Sequence, residues 1–145
     1  LRRPTDQPPV RFYERLEPAV FVLRLVPGMR ADIILLLAPH YRALVLESFG
    51  VGGLPGGEHG EMFAALRRWC ESGRLAVFTT QVPHEGCDLA VYEVGRAVGE
   101  LPGVLEARDM TPEAVAVKLM WALGQTEDRE KAARLFETPI EYDIM

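Results

Sequence analysis

The chain has 145 residues, which is enough for one domain with a hydrophobic core and short for two. Its composition, 48% hydrophobic and 26% charged, is typical of a folded globular protein and argues against disorder. The net charge of −5 argues against a nucleic-acid surface, and no apolar run approaches the ~18 residues that a membrane span needs.

The two cysteines, Cys70 and Cys87, have neither the spacing of metal ligands nor that of a disulfide framework. We interpret them as reduced thiols in a cytoplasmic protein. Because the chain begins at Leu1 rather than at a methionine, we expect a fragment or a processed product of a longer protein.

Regular alternation of strand and helix follows a proline-rich start. Residues 1–18 contain four prolines, which oppose helix, so this stretch is predicted to be an extended arm or linker to a domain at 19–145. The predictions then run, in chain order, as a strand at 19–26, a helix within 30–41, a strand at 43–49, a helix at 61–73, a strand at 74–80, a helix at 89–101, a short strand at 103–107, and helices at 109–124 and about 127–137.

Helix signals are clearest in the last third of the chain. Thr111 is predicted to be an N-cap with Pro112 at the first helical position, and Gly124 to stop that helix. Thr126 is predicted to cap the last helix, and Gly95 to weaken the helix at 89–101. Within 109–124, the stripe formed by Ala114, Val117 and Trp121 is predicted to be buried.

Four strand–helix alternations with spacings suited to right-handed crossovers predict a parallel sheet covered on both faces. The fold class is therefore α/β, a three-layer (αβα) Rossmann-like domain with a mostly parallel sheet of about four strands. In such a sheet, functional groups gather at the carboxyl ends of the strands.

The loop at 50–57 is rich in glycine but does not match a dinucleotide fingerprint. Pro55 interrupts the pattern before a helix can begin, and the next strand ends in Thr79-Thr80-Gln81 rather than in an acidic residue. Two interpretations stay open: the glycines only permit a turn, or they let the backbone approach a ligand or partner.

No catalytic constellation is evident in the chain. The hydroxyls of Ser48, Thr79 and Thr80 lie near strand ends, but no histidine or lysine lies close in sequence to act as their base. The histidines are too scattered for a metal site: His40, His59 and His84.

Several segments together nevertheless resemble a known family. They are "LVPGMRADII", "ALVLESFGVGGLP", "AVFTTQV", "CDLAVYEVGRAV" and "GVLEARDMTPEAVAVKLMWALG", in this order. The set is similar to the C-terminal domain of bacterial cytoplasmic-type (type I) L-asparaginases over roughly 19–138.

This resemblance implies a parent enzyme that hydrolyses L-asparagine to L-aspartate and ammonia without metal or organic cofactor. The family's threonine nucleophile lies in an N-terminal domain whose motifs are not found here, so the resemblance implies no catalytic residue in this chain and an inactive fragment. The implied partners are that N-terminal domain, further copies of the chain in a homodimer or homotetramer, and L-asparagine or L-aspartate as ligand, with no nucleic acid or membrane.

The resemblance also implies site residues. Tyr92 matches a tyrosine that is lent to the adjacent protomer's active site, and Gly53 falls where many relatives carry a substrate-contacting asparagine. Some type I enzymes have an allosteric asparagine site between subunits, whose basic residue and cysteine fall at Glu47 and Val82 here. Both replacements argue against that regulation. Ser48 and Gln81 complete the set of predicted interface-loop residues: Glu47, Ser48, Gln81 and Val82.

Two other functions stay open. The chain could be a non-catalytic module that binds a small metabolite or dimerises, or it could belong to a tRNA-dependent amidotransferase, in which one of the subunits shares the same C-terminal motifs. The acidic charge does not favour the tRNA partner.

Overall fold

Four parallel strands form one sheet whose spatial order equals their order in the chain. The fold is taken from a computed structural model that describes residues 10–50, 52–57, 59–82, 86–91 and 93–144. The strands are β1 (Val20–Arg24), β2 (Ala43–Ser48), β3 (Leu75–Thr80) and β4 (Val104–Glu106). The predicted parallel sheet of four strands is confirmed.

The helices lie on both faces of this sheet. They are α1 (Asp32–Leu37), α2 (Glu61–Glu71), α3 (Glu93–Gly99), α4 (Pro112–Gln125) and α5 (Arg129–Glu137). Because all three crossovers step in the same direction, right-handed connections place α1, α2 and α3 on one face. The helices α4 and α5, which follow the last strand, cover the other face.

Two hydrophobic cores follow from this arrangement. Leu44 and Leu46 of β2 pack with α1, α2 and α3, whereas Val45 of the same strand packs with α4 and α5. Successive side chains of a strand point to opposite faces, so a strand buried on both faces must be apolar throughout, as the sequence of β2 is. The three-layer prediction is confirmed.

The N-cap of α4 is confirmed, but its predicted end is not. Thr111 accepts a hydrogen bond from the backbone of Ala114 (3.3 Å), with Pro112 in the first turn. Gly124 lies inside the helix, which continues to Gln125. A Cβ atom at Gly124 would lie 2.8 Å from the carbonyl carbon of Arg15, so this glycine admits the arm rather than ending the helix.

The predicted cap of α5 was wrong by two residues. Asp128 is the N-cap, and its carboxylate accepts from the backbone of Lys131 at 3.0 Å. The hydroxyl of Thr126 instead accepts from the backbone N–H of Asp128, a local turn outside the helix. Both residue types are good caps, and the sequence alone did not decide between them.

The helix predicted at 89–101 is shorter, since α3 begins at Glu93. Gly95 is buried, and a Cβ atom there would overlap the backbone of Leu89. This glycine therefore allows the helix to pack closely on the segment before it, rather than being a weak point.

The predicted buried stripe of α4 was wrong. Val117 is 59% exposed and Ala114 is exposed, whereas Val115 and Leu119 are buried. This helix is apolar on most of its surface, so spacing alone does not select the buried face. Trp121 is half-buried because it lies between the core and the arm.

The arm at 10–19 contains neither helix nor strand and packs on α4. The backbone N–H of Glu17 donates to the carbonyl of Met120 (2.9 Å), and the side chain of Gln125 donates to the carbonyl of Arg15 (2.9 Å). The ring of Tyr13 meets Trp121 edge-on, with 5.3 Å between ring centroids.

Candidate functional site

The carboxyl edge of the sheet brings together the residues predicted for interface loops. Glu47 and Ser48 end β2, and their register partners Thr79 and Thr80 end β3 immediately before Gln81 and Val82. The parallel register thus places all four predicted residues, Glu47, Ser48, Gln81 and Val82, at neighbouring strand ends.

Gln81 connects the ends of three strands at this edge by hydrogen bonds. Its side-chain amide donates to the carbonyl oxygens of Leu25 and Glu47, both at 2.7 Å, and its backbone N–H donates to the carbonyl of Ser48 (3.2 Å). The strand ends that follow β1, β2 and β3 are therefore held by one residue. The sequence predicted Gln81 as an interface-loop residue but did not predict these hydrogen bonds.

The hydroxyl groups at the edge make internal hydrogen bonds. Buried Ser48 donates to the carbonyl of Thr79 at 2.8 Å. Thr80 donates to the carbonyl of Gly50 and accepts from the backbone of Val82 (3.0 Å). Two of these bonds link the end of β2 to the end of β3, and the bond from Val82 is the local turn contact that is common for threonine.

The glycine-rich loop closely approaches its own chain. Gly52 has a φ of 152°, and a Cβ atom there would lie 2.8 Å from Cδ2 of Leu89. Gly53 forms a bridge with Phe49, and a Cβ atom at this position would lie 3.2 Å from the Phe49 carbonyl oxygen. An asparagine at Gly53 would thus require its neighbour to shift by a few tenths of an ångström.

Leu89 is held between two glycines, Gly52 of the loop and Gly95 of α3, an arrangement that we name the Leu89 clamp. The side chain of Leu89 is 2% exposed and belongs to the core under α1, α2 and α3. The clamp joins the loop after β2 to the segment that leads into α3. Tyr92 lies outside the described residues; its neighbours Val91 and Glu93 are exposed.

Two acidic groups lie near the end of β4. Burial raises the pKa of Glu106, and the negative charge of Asp88 raises it further, while a hydrogen bond from the Leu89 backbone opposes the shift.

Burial likewise raises the pKa of the Cys87 thiol to about 12, so this sulfur stays protonated at neutral pH. A protonated thiol is a poor nucleophile and a poor metal ligand.

Within the described ranges, no group of three or more His, Cys, Asp and Glu side chains is arranged to hold a metal ion. His84 lies outside those ranges. Among the helices that the structure describes, none combines the length and the apolar character needed to cross a membrane.

The order of the described strands lacks the usual ligand crevice of an α/β sheet. In open α/β sheets, ligands bind in the crevice where the strand order reverses, but the order β1-β2-β3-β4 has no reversal. Among the described residues, cavities lie elsewhere: one of about 280 Å³ beside Arg42 and Arg74 at the amino ends of the strands, a groove of about 690 Å³ along α4, and one of about 430 Å³ beside Lys131 and Arg134.

The two arginine side chains that line the cavity at the amino ends already form ion pairs and hydrogen bonds within the chain. Arg42 forms ion pairs with Glu17 (3.1 Å) and Glu127 (3.0 Å), and Arg74 donates to the carbonyl of Ala38 (2.7 Å) and to that of Tyr41. These guanidinium groups tie the arm and the end of α1 to the sheet. The carboxyl edge therefore remains the candidate site.

Comparison with known proteins identifies the family. The model of the glutaminase/asparaginase C-terminal domain matches residues 19–136. An L-asparaginase of Thermococcus kodakarensis is 38% identical over 133 residues, 92% of this chain and 40% of that protein. A component of the glutamyl-tRNA(Gln) amidotransferase of Metallosphaera sedula is 35% identical over 89% of this chain and 28% of its own length.

Solved structures agree with these relatives. The thermostable L-asparaginase from Thermococcus kodakarensis superposes with a TM-score of 0.82 at 35% identity, over 97% of this chain and 44% of that one. L-asparaginase I from Vibrio cholerae gives a TM-score of 0.78 at 28% identity, over 89% and 38%. The chain thus spans about two fifths of the length of these asparaginases. Because the family model covers most of the folded region, this chain belongs to the glutaminase/asparaginase family, through the C-terminal domain of that family.

Proposed function

We propose that this chain is the C-terminal domain of an L-asparaginase whose complete form hydrolyses L-asparagine to L-aspartate and ammonia. The observation that carries the proposal is the 38% identity to an L-asparaginase across 92% of this chain. The matched region includes every loop of the carboxyl edge. The parent needs no metal or organic cofactor in this proposal, and it acts in the cytoplasm.

The chain's role in that enzyme is to complete an active site rather than to supply the nucleophile. The hydroxyls of Ser48 and Thr80 are engaged in internal hydrogen bonds, and burial raises the pKa of the Cys87 thiol to about 12. The order of the four described strands has no reversal, the place where open α/β sheets form a ligand crevice. A substrate at the carboxyl edge becomes enclosed once another protein unit covers that edge.

That unit is the N-terminal domain of a neighbouring protomer in a homodimer or homotetramer. In this arrangement Tyr92 and the backbone at Gly53 contact the substrate, L-asparagine, or the product, L-aspartate. The loops with Glu47, Gln81 and Val82 lie at the interface between protomers. Since Gln81 is committed to carbonyl groups of its own domain, its role there is to hold the loops in place.

Ammonia release from L-asparagine tests the proposal. The complete product of the gene is expected to release ammonia, and the 145-residue chain alone is not. Tyr92→Phe in the complete product is expected to lower kcat/KM at least tenfold, whereas Tyr142→Phe, at an 87% exposed tyrosine, serves as the matched control. Turnover by the isolated chain, or unchanged kinetics of an intact Tyr92→Phe oligomer, would contradict the respective claim.

A second candidate is a component of a tRNA-dependent amidotransferase, supported by the 35% identity to the Metallosphaera sedula protein. The sequence pI of about 5.2 does not favour a tRNA-binding surface on this domain. Binding of glutamyl-tRNA by the complete product, without asparagine hydrolysis, would favour this candidate. An oligomer with neither property would favour a non-catalytic binding or dimerisation module.

A further inference from the structure

An apolar groove of about 690 Å³ follows the outer face of α4, between the arm and the C-terminal tail. We name it the arm groove. Its apolar walls are Tyr13, Leu16, Val117, Trp121, Leu135 and Ile140. On its floor, the ammonium group of Lys118 lies 2.7 Å from a carboxylate oxygen of Asp143 and 2.9 Å from the carbonyl of Thr138.

The side chains that line the arm groove are exposed to an unusual degree for their type. Leu16 is 60% exposed, Tyr13 53%, Val117 59% and Ile140 47%. Single apolar side chains on a surface need no explanation, but a contiguous group rimmed by polar residues marks an interaction site. The charges of Lys118 and Asp143 on the floor neutralise each other, so the groove offers a mainly apolar surface.

We propose that the arm groove is the docking surface for the region that precedes this domain in the parent protein. The inference rests on that part of the proposed function in which the chain is the C-terminal domain of a longer enzyme. The relative from Thermococcus kodakarensis is matched over only 40% of its length. Since the family model is that of a C-terminal domain, the unmatched part of such a protein comes before it.

The position of the arm favours the preceding region as the occupant of the groove. The arm supplies Tyr13 and Leu16 to the groove wall, and hydrogen bonds from Glu17 and Gln125 hold it on α4. A region that precedes Leu1 is thus joined through twelve residues to Tyr13 in the groove wall. A short tether gives an effective concentration of about millimolar, which favours the tethered region over a second copy of the chain.

Chemical labelling at Val117 tests the inference. The native thiols interfere little, because both cysteines are buried and burial raises the pKa of each to about 12. Val117→Cys should react quickly with a maleimide in the 145-residue chain and at least tenfold more slowly in the complete gene product. Glu71→Cys, at an exposed position on α2, is the matched control for general reactivity.

The outcomes separate the possible occupants. Slow labelling at Val117→Cys that does not vary with protein concentration supports docking of the preceding region. Slowing that appears only at high concentration, also in the 145-residue chain, shows a second copy in the groove and overturns the proposal. Equal labelling rates in both proteins overturn it as well, and so does a gene product that begins close to Leu1.

A charge in the groove provides a second readout. Val117→Lys should leave the unfolding temperature of the 145-residue chain within about 2 °C of its original value, because the side chain is exposed. In the complete product the same change should restore fast labelling of a cysteine introduced by Ala114→Cys. These measurements do not use turnover, so the inference can fail while asparagine hydrolysis is confirmed, or stand while it is not.

Discussion

Replacing Gly95 by alanine tests the Leu89 clamp, where two opposing effects can be compared. Alanine is favoured over glycine within a helix by about 0.8–1 kcal/mol, so the substitution would stabilise α3 if there were room. There is none: a Cβ atom would lie 3.0 Å from both the carbonyl carbon and the Cα atom of Leu89, and closer to its carbonyl oxygen. These are backbone atoms in a buried segment, and they cannot rotate away.

Overpacking of this kind costs about 1–3 kcal/mol, and a backbone contact lies at the upper end of that range. After subtraction of the helix preference, Gly95→Ala should lower the free energy of unfolding by about 1–2 kcal/mol. For a domain of about this size, the loss corresponds to roughly 3–8 °C in unfolding temperature.

Gly99 of the same helix provides the matched control. A Cβ atom there would lie 3.9 Å from the nearest atoms of Leu89, an ordinary van der Waals contact. Gly99→Ala should therefore be neutral or stabilising by up to about 1 kcal/mol. Urea unfolding followed by circular dichroism measures both variants. If Gly95→Ala proves as stable as Gly99→Ala, the segment before α3 does not pack against this helix.

Two further predictions concern ionisable groups. Because burial raises the pKa of Glu106 above its ordinary value of 4.5, the folded state loses stability as pH rises from that value through the raised pKa. Glu106→Gln should remove this loss, so its advantage in urea unfolding should grow above pH 4.5; a constant difference across pH would contradict the assignment. Burial alone would raise the pKa of Asp143, but the hydrogen bonds from Lys118 and from the backbone of Ile140, with the charge of Lys118, outweigh it and lower the pKa. This gives a contribution to stability that is present above pH 3.8 and lost as pH falls below it. Asp143→Asn leaves Lys118, whose side chain is 5% exposed, without its counter-ion and should cost about 1–3 kcal/mol at pH 7, discounted for partial exposure of the carboxylate. A loss below about 0.5 kcal/mol in urea unfolding at neutral pH would show that the pair is not needed.

The sheet could be predicted from the sequence because its strands are buried on both faces. A strand such as β2 is apolar at consecutive positions and is bounded by turn residues, so its limits are visible without tertiary information. The N-cap of α4 could also be predicted, because its hydrogen bond joins Thr111 to Ala114, only three residues away.

Features that depend on distant residues could not be predicted in this way. Gly124 was predicted to stop its helix, although it admits the backbone of Arg15 from the start of the chain. Gly95 was predicted to weaken its helix, although it admits the backbone of Leu89; this contact is close in sequence, but it depends on how the segment before the helix folds back. The buried face of α4 was misassigned because the helix is apolar on most of its surface and only its neighbours decide which stripe is covered. At the candidate site, Gln81 was selected, but its contacts to Leu25 and Glu47 cross 56 and 34 positions of sequence.

The sequential strand order has a consequence for the growing chain on the ribosome. When β4 has been made, the sheet is complete and α1, α2 and α3 already cover one face, but the other face is still bare. Among the described helices, those that cover it are α4 and α5, which are synthesised last. Until then Ala43, Val45 and Val77 face the solvent, and exposed apolar sheet surface is prone to aggregate. We therefore expect a chain that stops before Pro112 to aggregate, and the final quarter of the sequence to give the domain its solubility.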